Sequence, residues 1–231
     1  MIIASASLIK GMTGFGFALV SLPPLMIWYS PKELIPVLLC CNLCASLIIV
    51  LQKKERKLVN KQFRSLIAYG ALFTIAGVVI LKYLSEDLLI IVMSIFFILL
   101  SGLSLVGIKY SIKLTDASYK IAGAFLGLLT GSISISGPPL ALFLHSAQVD
   151  NQEFREVFSW FSIVTAVIAL VGYAGMGMLT LKILEMTGLF LPILFLGSFF
   201  GKRLNQYLSA SLFKKISILI ILFSSVLLLF R

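Results

Sequence analysis

Lys10-Gly11-Met12-Thr13-Gly14-Phe15-Gly16 runs through apolar residues into Leu22-Pro23-Pro24-Leu25. A related stretch, Gly127-Leu128-Leu129-Thr130-Gly131, runs through Ser132, Ser134 and Ser136 into Gly137-Pro138-Pro139-Leu140. Gly16 to Pro23 and Gly131 to Pro138 are both seven residues, and the two copies sit 115 positions apart. Glycines and a Pro-Pro pair inside long apolar stretches interrupt a helix where lipid forbids irregular backbone. Such a break persists only where protein covers it or it lines a cavity. A broken segment that occurs twice points to the central site of a transporter.

The composition makes lipid part of the solvent. Of 231 residues, 60% are hydrophobic and 12% charged, with a mean hydropathy of +1.09. A water-soluble domain of this size has too little interior for so much apolar surface. The formal charge of +10 falls mostly between apolar runs, as in cytoplasmic loops, and no basic stripe interleaved with aromatics favours nucleic acid. The first nine residues lack the basic region that opens a cleaved leader. Cys40, Cys41 and Cys44 share one apolar run with no histidine or acid beside them. Packing residues are expected there, not a disulfide framework or a metal site. No ATP-binding motif occurs, and no metal or cofactor is expected.

Apolar stretches of spanning length cover residues 2–29, 33–51, 63–84, 88–108, 118–147, 156–179, 182–201 and 209–230. A straight crossing takes about 20 residues; the first and fifth stretches exceed it, and they carry the breaks. None has the polar alternation of a membrane strand. The expected fold is all-α: a polytopic membrane protein of eight hydrophobic segments in two four-segment repeats, 1–115 and 116–231. The first segment of each repeat is broken or re-entrant. Looser echoes extend the repeat: Glu33-Leu34 with Glu153-Phe154, and Gly77, Lys82-Tyr83-Leu84-Ser85 with Gly201, Gln206-Tyr207-Leu208-Ser209.

Loop charge orients these repeats. Lys53, Lys54, Arg56, Lys57, Lys61 and Arg64 form one basic loop, Lys109, Lys113 and Lys120 a second, and Lys202, Arg203, Lys214 and Lys215 a third. Eight single crossings would place the third opposite the other two, against the positive-inside bias. Re-entrant broken segments place all three in the cytoplasm, which inverts the repeats and turns both termini outward. The inverted arrangement in a cell membrane is the expectation.

Each break leaves backbone N–H groups unpaired at the start of the following half-helix. Glycine permits close approach there, and proline in a first turn removes only an orphaned donor. Such a helix start carries partial positive charge and binds carboxylate, sulfonate and similar anions. The substrate-binding set expected from the two copies is Thr13, Gly14, Gly16 and Pro23 with Ser132, Ser134, Ser136, Gly137 and Pro138. Two breaks meeting near mid-membrane would make an anion-friendly chamber; helix kinking and close packing is the competing reading.

Asn42 adds an amide that bonds either the cavity or another helix. Arg155 has two readings: a bidentate oxyanion clamp, or an interfacial arginine snorkelling or pairing with Asp150, Glu153 or Glu156. Lys10, His145 and Gln148 are the coupling or gating candidates. An intramembrane lysine costs about 2.5 to 3.5 kcal/mol unless it snorkels or serves a function, and histidine is the side chain that changes charge near neutral pH. Trp28, Tyr29, Trp160 and Tyr173 are expected as interfacial or packing aromatics. Gly197-x-x-x-Gly201 is expected in close helix packing, within the chain or across a homodimer boundary.

Gly11-Met-Thr-Gly-Phe-Gly-Phe-Ala-Leu-Val-Ser-Leu-Pro23 resembles the first signature of the sulfite exporter TauE/SafE family, grouped with the toluene sulfonate uptake permeases. Ser136-Gly-Pro-Pro-Leu-Ala-Leu-Phe-Leu144, followed by Phe154-Arg155, resembles its second. The resemblance covers essentially the whole chain. It implies a secondary transporter, an exporter of a small sulfur-containing anion such as sulfite or an organosulfonate, coupled to a proton or other ion. It also raises Gly14, Gly16, Pro23, Gly137, Pro138 and Arg155 as site residues. One departure stands out: Gly131-Ser-Ile-Ser-Ile-Ser-Gly137 carries serines where many relatives carry glycines.

The expected partners are the anion, the lipid bilayer and a coupling ion, with no nucleic acid. A passive anion channel, a membrane scaffold and an intramembrane enzyme are the competing functions. The enzyme reading has only His145 and scattered serines to draw on, with no His-Asp pair nearby.

Overall fold

A left-handed backbone interrupts a helix of L-residues, and two of the described residues inside the overlong apolar segments adopt it. Gly16 has φ 93° and Ser134 has φ 57°. A computed structural model describes residues 1–13, 16–51, 61–106, 115–147, 149, 151–204 and 210–230. Among them are ten helices and no strand: α1 (Ile2–Thr13), α2 (Phe17–Leu25), α3 (Pro31–Leu51), α4 (Lys61–Tyr83), α5 (Glu86–Val106), α6 (Asp116–Ile133), α7 (Gly137–Ser146), α8 (Asn151–Gly175), α9 (Leu181–Leu204) and α10 (Ala210–Leu229). The two overlong segments each contribute two short helices, α1–α2 and α6–α7. Phe63–Tyr83, Glu156–Gly175 and Leu181–Leu204 are long and apolar enough to cross a membrane. Large apolar side chains such as Leu72, Leu99, Leu189 and Phe223 are more than half exposed, as a surface solvated by hydrocarbon requires. The basic stretches around Lys53–Lys57 and Lys109–Lys113 lie outside the described residues.

The broken segments share one register. Phe17 and Gly137 open equivalent helices 120 positions apart, and the close approaches of Gly11 and Gly131 to backbone keep that offset. The seven-residue spacing that aligns Gly16 with Gly131 is therefore not the structural register. Gly131 lies inside α6, before its break, whereas Gly16 is the last residue of the first break. The structural counterpart of Gly131 is Gly11.

The chain forms two compact units, one of Met1–Cys41, Leu84–Lys109 and Thr180–Arg231, the other of Asn42–Tyr83 and Tyr110–Leu179. Each draws helices from both halves of the sequence. In the first unit α1 packs along α9, and α10 packs on α5 and α2. In the second, α4 packs along α6 and α8, and α7 adjoins α6 and α8.

The same contacts recur in the two long pairings. A Cβ at Gly11 would fall on the Ser198 carbonyl, and one at Gly131 on the Thr74 carbonyl. A Cβ at Gly201 would fall on the Leu8 carbonyl, and one at Gly77 on the Leu128 carbonyl. Small residues let backbones touch, which is how helices associate where no hydrophobic force drives them together. Gly197 and Gly201 thus serve packing against α1 of their own chain, not a subunit boundary. The second unit has a further apolar anchor. Tyr119 stands edge-on to Phe63 (5.4 Å) and Phe143 (5.3 Å), amid buried Leu66, Leu126, Leu140, Val157 and Phe161.

Candidate functional site

In the first unit, the break follows Thr13 and ends at Gly16. Lys10 sits in the last turn of α1, only 9% exposed, with its ammonium 5.7 Å from the Phe17 ring centroid. A cation is favoured there by the carbonyl end of the helix and by the ring face. Gly16 caps α2 in the left-handed conformation, open to glycine without strain. Val20 N–H donates to the Gly16 carbonyl at 3.0 Å, so the amides of Phe17, Ala18 and Leu19 precede the first intrahelical bond. Pro23 and Pro24 lie deep in α2 and are buried. They are not first-turn prolines as the motif predicts. Instead they withhold the donors that would bond the Leu19 and Val20 carbonyls. The Thr13 side chain and Gly14 lie outside the described residues.

In the second unit, the break runs from Ser134 to Ser136. Ser134 N–H donates to the Thr130 carbonyl at 3.0 Å, closing α6. The next carbonyl, Gly131, accepts the Tyr173 hydroxyl at 2.7 Å. Tyr173 is fully buried on α8 and satisfies one of the carbonyls that the break orphans. Its expected role as an interfacial or packing aromatic misses this bond. A buried tyrosine needs a partner for its O–H, but no local spacing points to an acceptor 42 residues away.

The hydroxyls differ in what they are free to do. Thr130 donates to the Leu126 carbonyl and Ser132 to the Leu128 carbonyl, so both protons are committed to α6. Ser134 is 6% exposed, and its Oγ has no hydrogen-bond partner. Ser136 is the N-cap residue of α7 but makes no side-chain capping bond. Leu140 N–H donates to the Ser136 carbonyl at 2.9 Å. Because Pro138 and Pro139 carry no N–H, Gly137 holds the one amide between the cap and that first bond.

The sequence-predicted residues thus divide between two units. Lys10, Thr13, Gly16 and Pro23 belong to the first; Asn42, Ser132, Ser134, Ser136, Gly137, Pro138, His145 and Arg155 belong to the second. Asn42 is half-buried on α3, and His145 is exposed in the last turn of α7. Arg155 stands in the first turns of α8, its side chain outside the described residues, as is Gln148. Cys41 is buried and Cys40 and Cys44 half-buried on α3. No group of three metal-ligating side chains occurs among the described residues.

A family model described as "Sulfite exporter TauE/SafE" matches residues 1–228. A curated relative, the "Probable sulfite/organosulfonate exporter TauE" of Cupriavidus necator, is 26% identical over 133 residues, covering 56% of this chain and 52% of that protein. The chain spans about half the length of that curated relative. No solved structure matches.

Proposed function

The chain belongs to the sulfite exporter TauE/SafE family, and on that premise we propose that it is a secondary transporter exporting a small sulfur oxyanion, sulfite or an organosulfonate. One observation carries the proposal. In two equivalent places an apolar segment stops and restarts, at Gly16 and at Ser134–Ser136, leaving hydrogen-bond donors at the start of a new helix. Such starts suit an anion. The name of the Cupriavidus necator relative supports sulfite or an organosulfonate as the cargo.

In this reading the repeats are inverted, the broken segments re-enter without crossing, and both termini face outward. Each break offers its donors to the anion, which alternating access exposes to each side in turn. Arg155 supplies the bidentate guanidinium for the oxyanion. A proton or another ion couples the cycle, with Lys10, His145 and Gln148 as its candidate carriers or gates. The site binds modestly, because release on the far side is part of the cycle.

The test is flux of radiolabelled sulfite and methanesulfonate in proteoliposomes, with wild type, Arg155→Ala and Arg155→Lys compared. Saturable flux stimulated by anion on the opposite side, and lost in Arg155→Ala while the protein stays folded, is the expected result. Flux that does not saturate would make the protein a channel. Flux indifferent to both substitutions would remove Arg155 from the site.

A further inference from the structure

We infer that Ser134 reads the substrate: its hydroxyl donates to an oxygen of the –SO₃ head shared by sulfite and organosulfonates. The inference rests on the transport reading above and names the contact that the second break makes.

Two unfavourable features coincide at this residue. Its backbone is left-handed, φ 57°, where a side chain other than glycine, asparagine or aspartate is strained. Its hydroxyl is buried with no partner, which forfeits hydrogen bonds that water would supply. Glycine would remove both, and the residue 120 positions earlier is Gly14. Ser94 and Ser225 also bury unpartnered hydroxyls, but they lie within the regular helices α5 and α10. Ser134 combines an orphaned hydroxyl with a break in the chain.

The surroundings define the ligand. Pro138 and Pro139 remove two amides from the start of α7, leaving the Gly137 N–H there with serine hydroxyls beside it. Ser132 has given its proton to Leu128; Ser134 has not given its own. Tyr173 and Thr130 hold the turn before it through Gly131 and the Ser134 amide. The hydroxyl is thus held in place with its donor uncommitted, three residues before a ten-residue helix whose start favours negative charge. A hydroxyl donor facing an anion meets oxygen, the atom type common to every –SO₃ head.

The experiment uses the full chain in proteoliposomes, wild type beside Ser134→Gly and Ser134→Ala. Half-saturating concentrations are measured for sulfite and methanesulfonate, and thermal melting with and without each anion. Both variants should raise half-saturation by roughly ten- to a hundredfold for both anions, the worth of one hydrogen bond to a charged group. Without anion, Ser134→Gly should melt above wild type, because backbone strain and orphaned hydroxyl are both gone. If Ser134→Ala does not fold, Ser134→Gly, which relaxes the backbone, decides alone.

Unchanged half-saturation alongside higher melting would overturn the inference and leave the serine as strain without a ligand. Weakening toward one anion only would overturn the head-group assignment. A wild type with neither saturable flux nor anion-raised melting would overturn the transport reading first, and Ser134 with it.

Discussion

The two breaks interrupt equivalent segments with opposite chemistry. The first carries its left-handed residue, Gly16, at the start of the new helix and keeps three main-chain amides, Phe17 to Leu19, ahead of its first helical bond. The second carries its left-handed residue, Ser134, at the end of the old helix and keeps a single amide, Gly137, because prolines occupy the next two positions. Proline placement accounts for the difference. In α2 the pair lies late and strips donors from carbonyls, whereas in α7 it lies early and strips donors from the helix start. A repeat can thus preserve an interruption while exchanging the groups that the interruption offers. Hydroxyls replace amides in the second copy, and a hydroxyl can be added or removed by substitution without rebuilding the backbone.

The largest effect should come from the helix pairs that hold each break in place. A Cβ at Gly127 would fall on the Gly70 backbone, and one at Gly11 on the Ser198 backbone. The atoms met are backbone in both cases and cannot yield as a side chain would, so Gly127→Ala and Gly11→Ala should each cost about 3 kcal/mol. Gly127→Ala should be the worse, since glycine faces glycine along α6 and α4. Gly172→Ala should cost less: its nearest neighbours would be Val78 side-chain atoms, at 3.1, 3.3 and 3.5 Å, which a shift of a few tenths of an ångström relieves. Size-exclusion profiles and melting in detergent check the order. If Gly11→Ala proved harmless while Gly127→Ala collapsed, the first break would not depend on α9 as the second depends on α4.

Next in size is a change of sign between the breaks. Gly16→Ser places a side chain at φ 93° and should cost about 1 to 2 kcal/mol, the opposite direction from glycine at Ser134. The nearest atom to a Gly16 Cβ is an Ile9 methyl at 4.0 Å, so crowding contributes nothing and the melting shift isolates the backbone. Equal stability of wild type and Gly16→Ser would mean that the left-handed conformation is inexpensive at the first break. The strain attributed to the second would then lose its support.

Much of this arrangement is legible in the sequence, because Gly, Pro and apolar length are local signals. The all-helical fold and the overlong segments follow from the apolar stretches along the chain, and the general position of each break from residues 10–25 and 127–140. The register does not. Gly16 to Pro23 and Gly131 to Pro138 match in spacing, yet the close approaches of Gly11 to Ser198 and Gly131 to Thr74 align the copies five residues differently. A helix places its contacts by face, and a linear motif has no face. Partners distant in sequence are hidden for the same reason. Nothing near Gly131 announces Tyr173, and nothing near Gly11 announces α9. The unpartnered hydroxyl of Ser134 is invisible too, since a count of serines cannot say which of them have already donated.

The smallest effect tests the register through charge. Glu33 and Glu153 are each the third residue of their helix, α3 and α8, 120 positions apart, where a carboxylate complements the helix dipole. Glu33 also accepts from Lys182 at 2.6 Å, in a pair whose side chains are 31% and 56% exposed. Facing water, such a pair is worth less than about 1 kcal/mol, and Glu33→Gln should shift melting by no more than that. The shift should shrink further when salt is raised, because added ions screen charges that water reaches. If Glu33→Gln were instead strongly destabilising and indifferent to salt, the start of α3 would lie in a low-dielectric layer. Glu33 and Lys182 would then be an ion pair held away from water, and the equivalence of Glu33 with Glu153 would be one of sequence position without a shared environment.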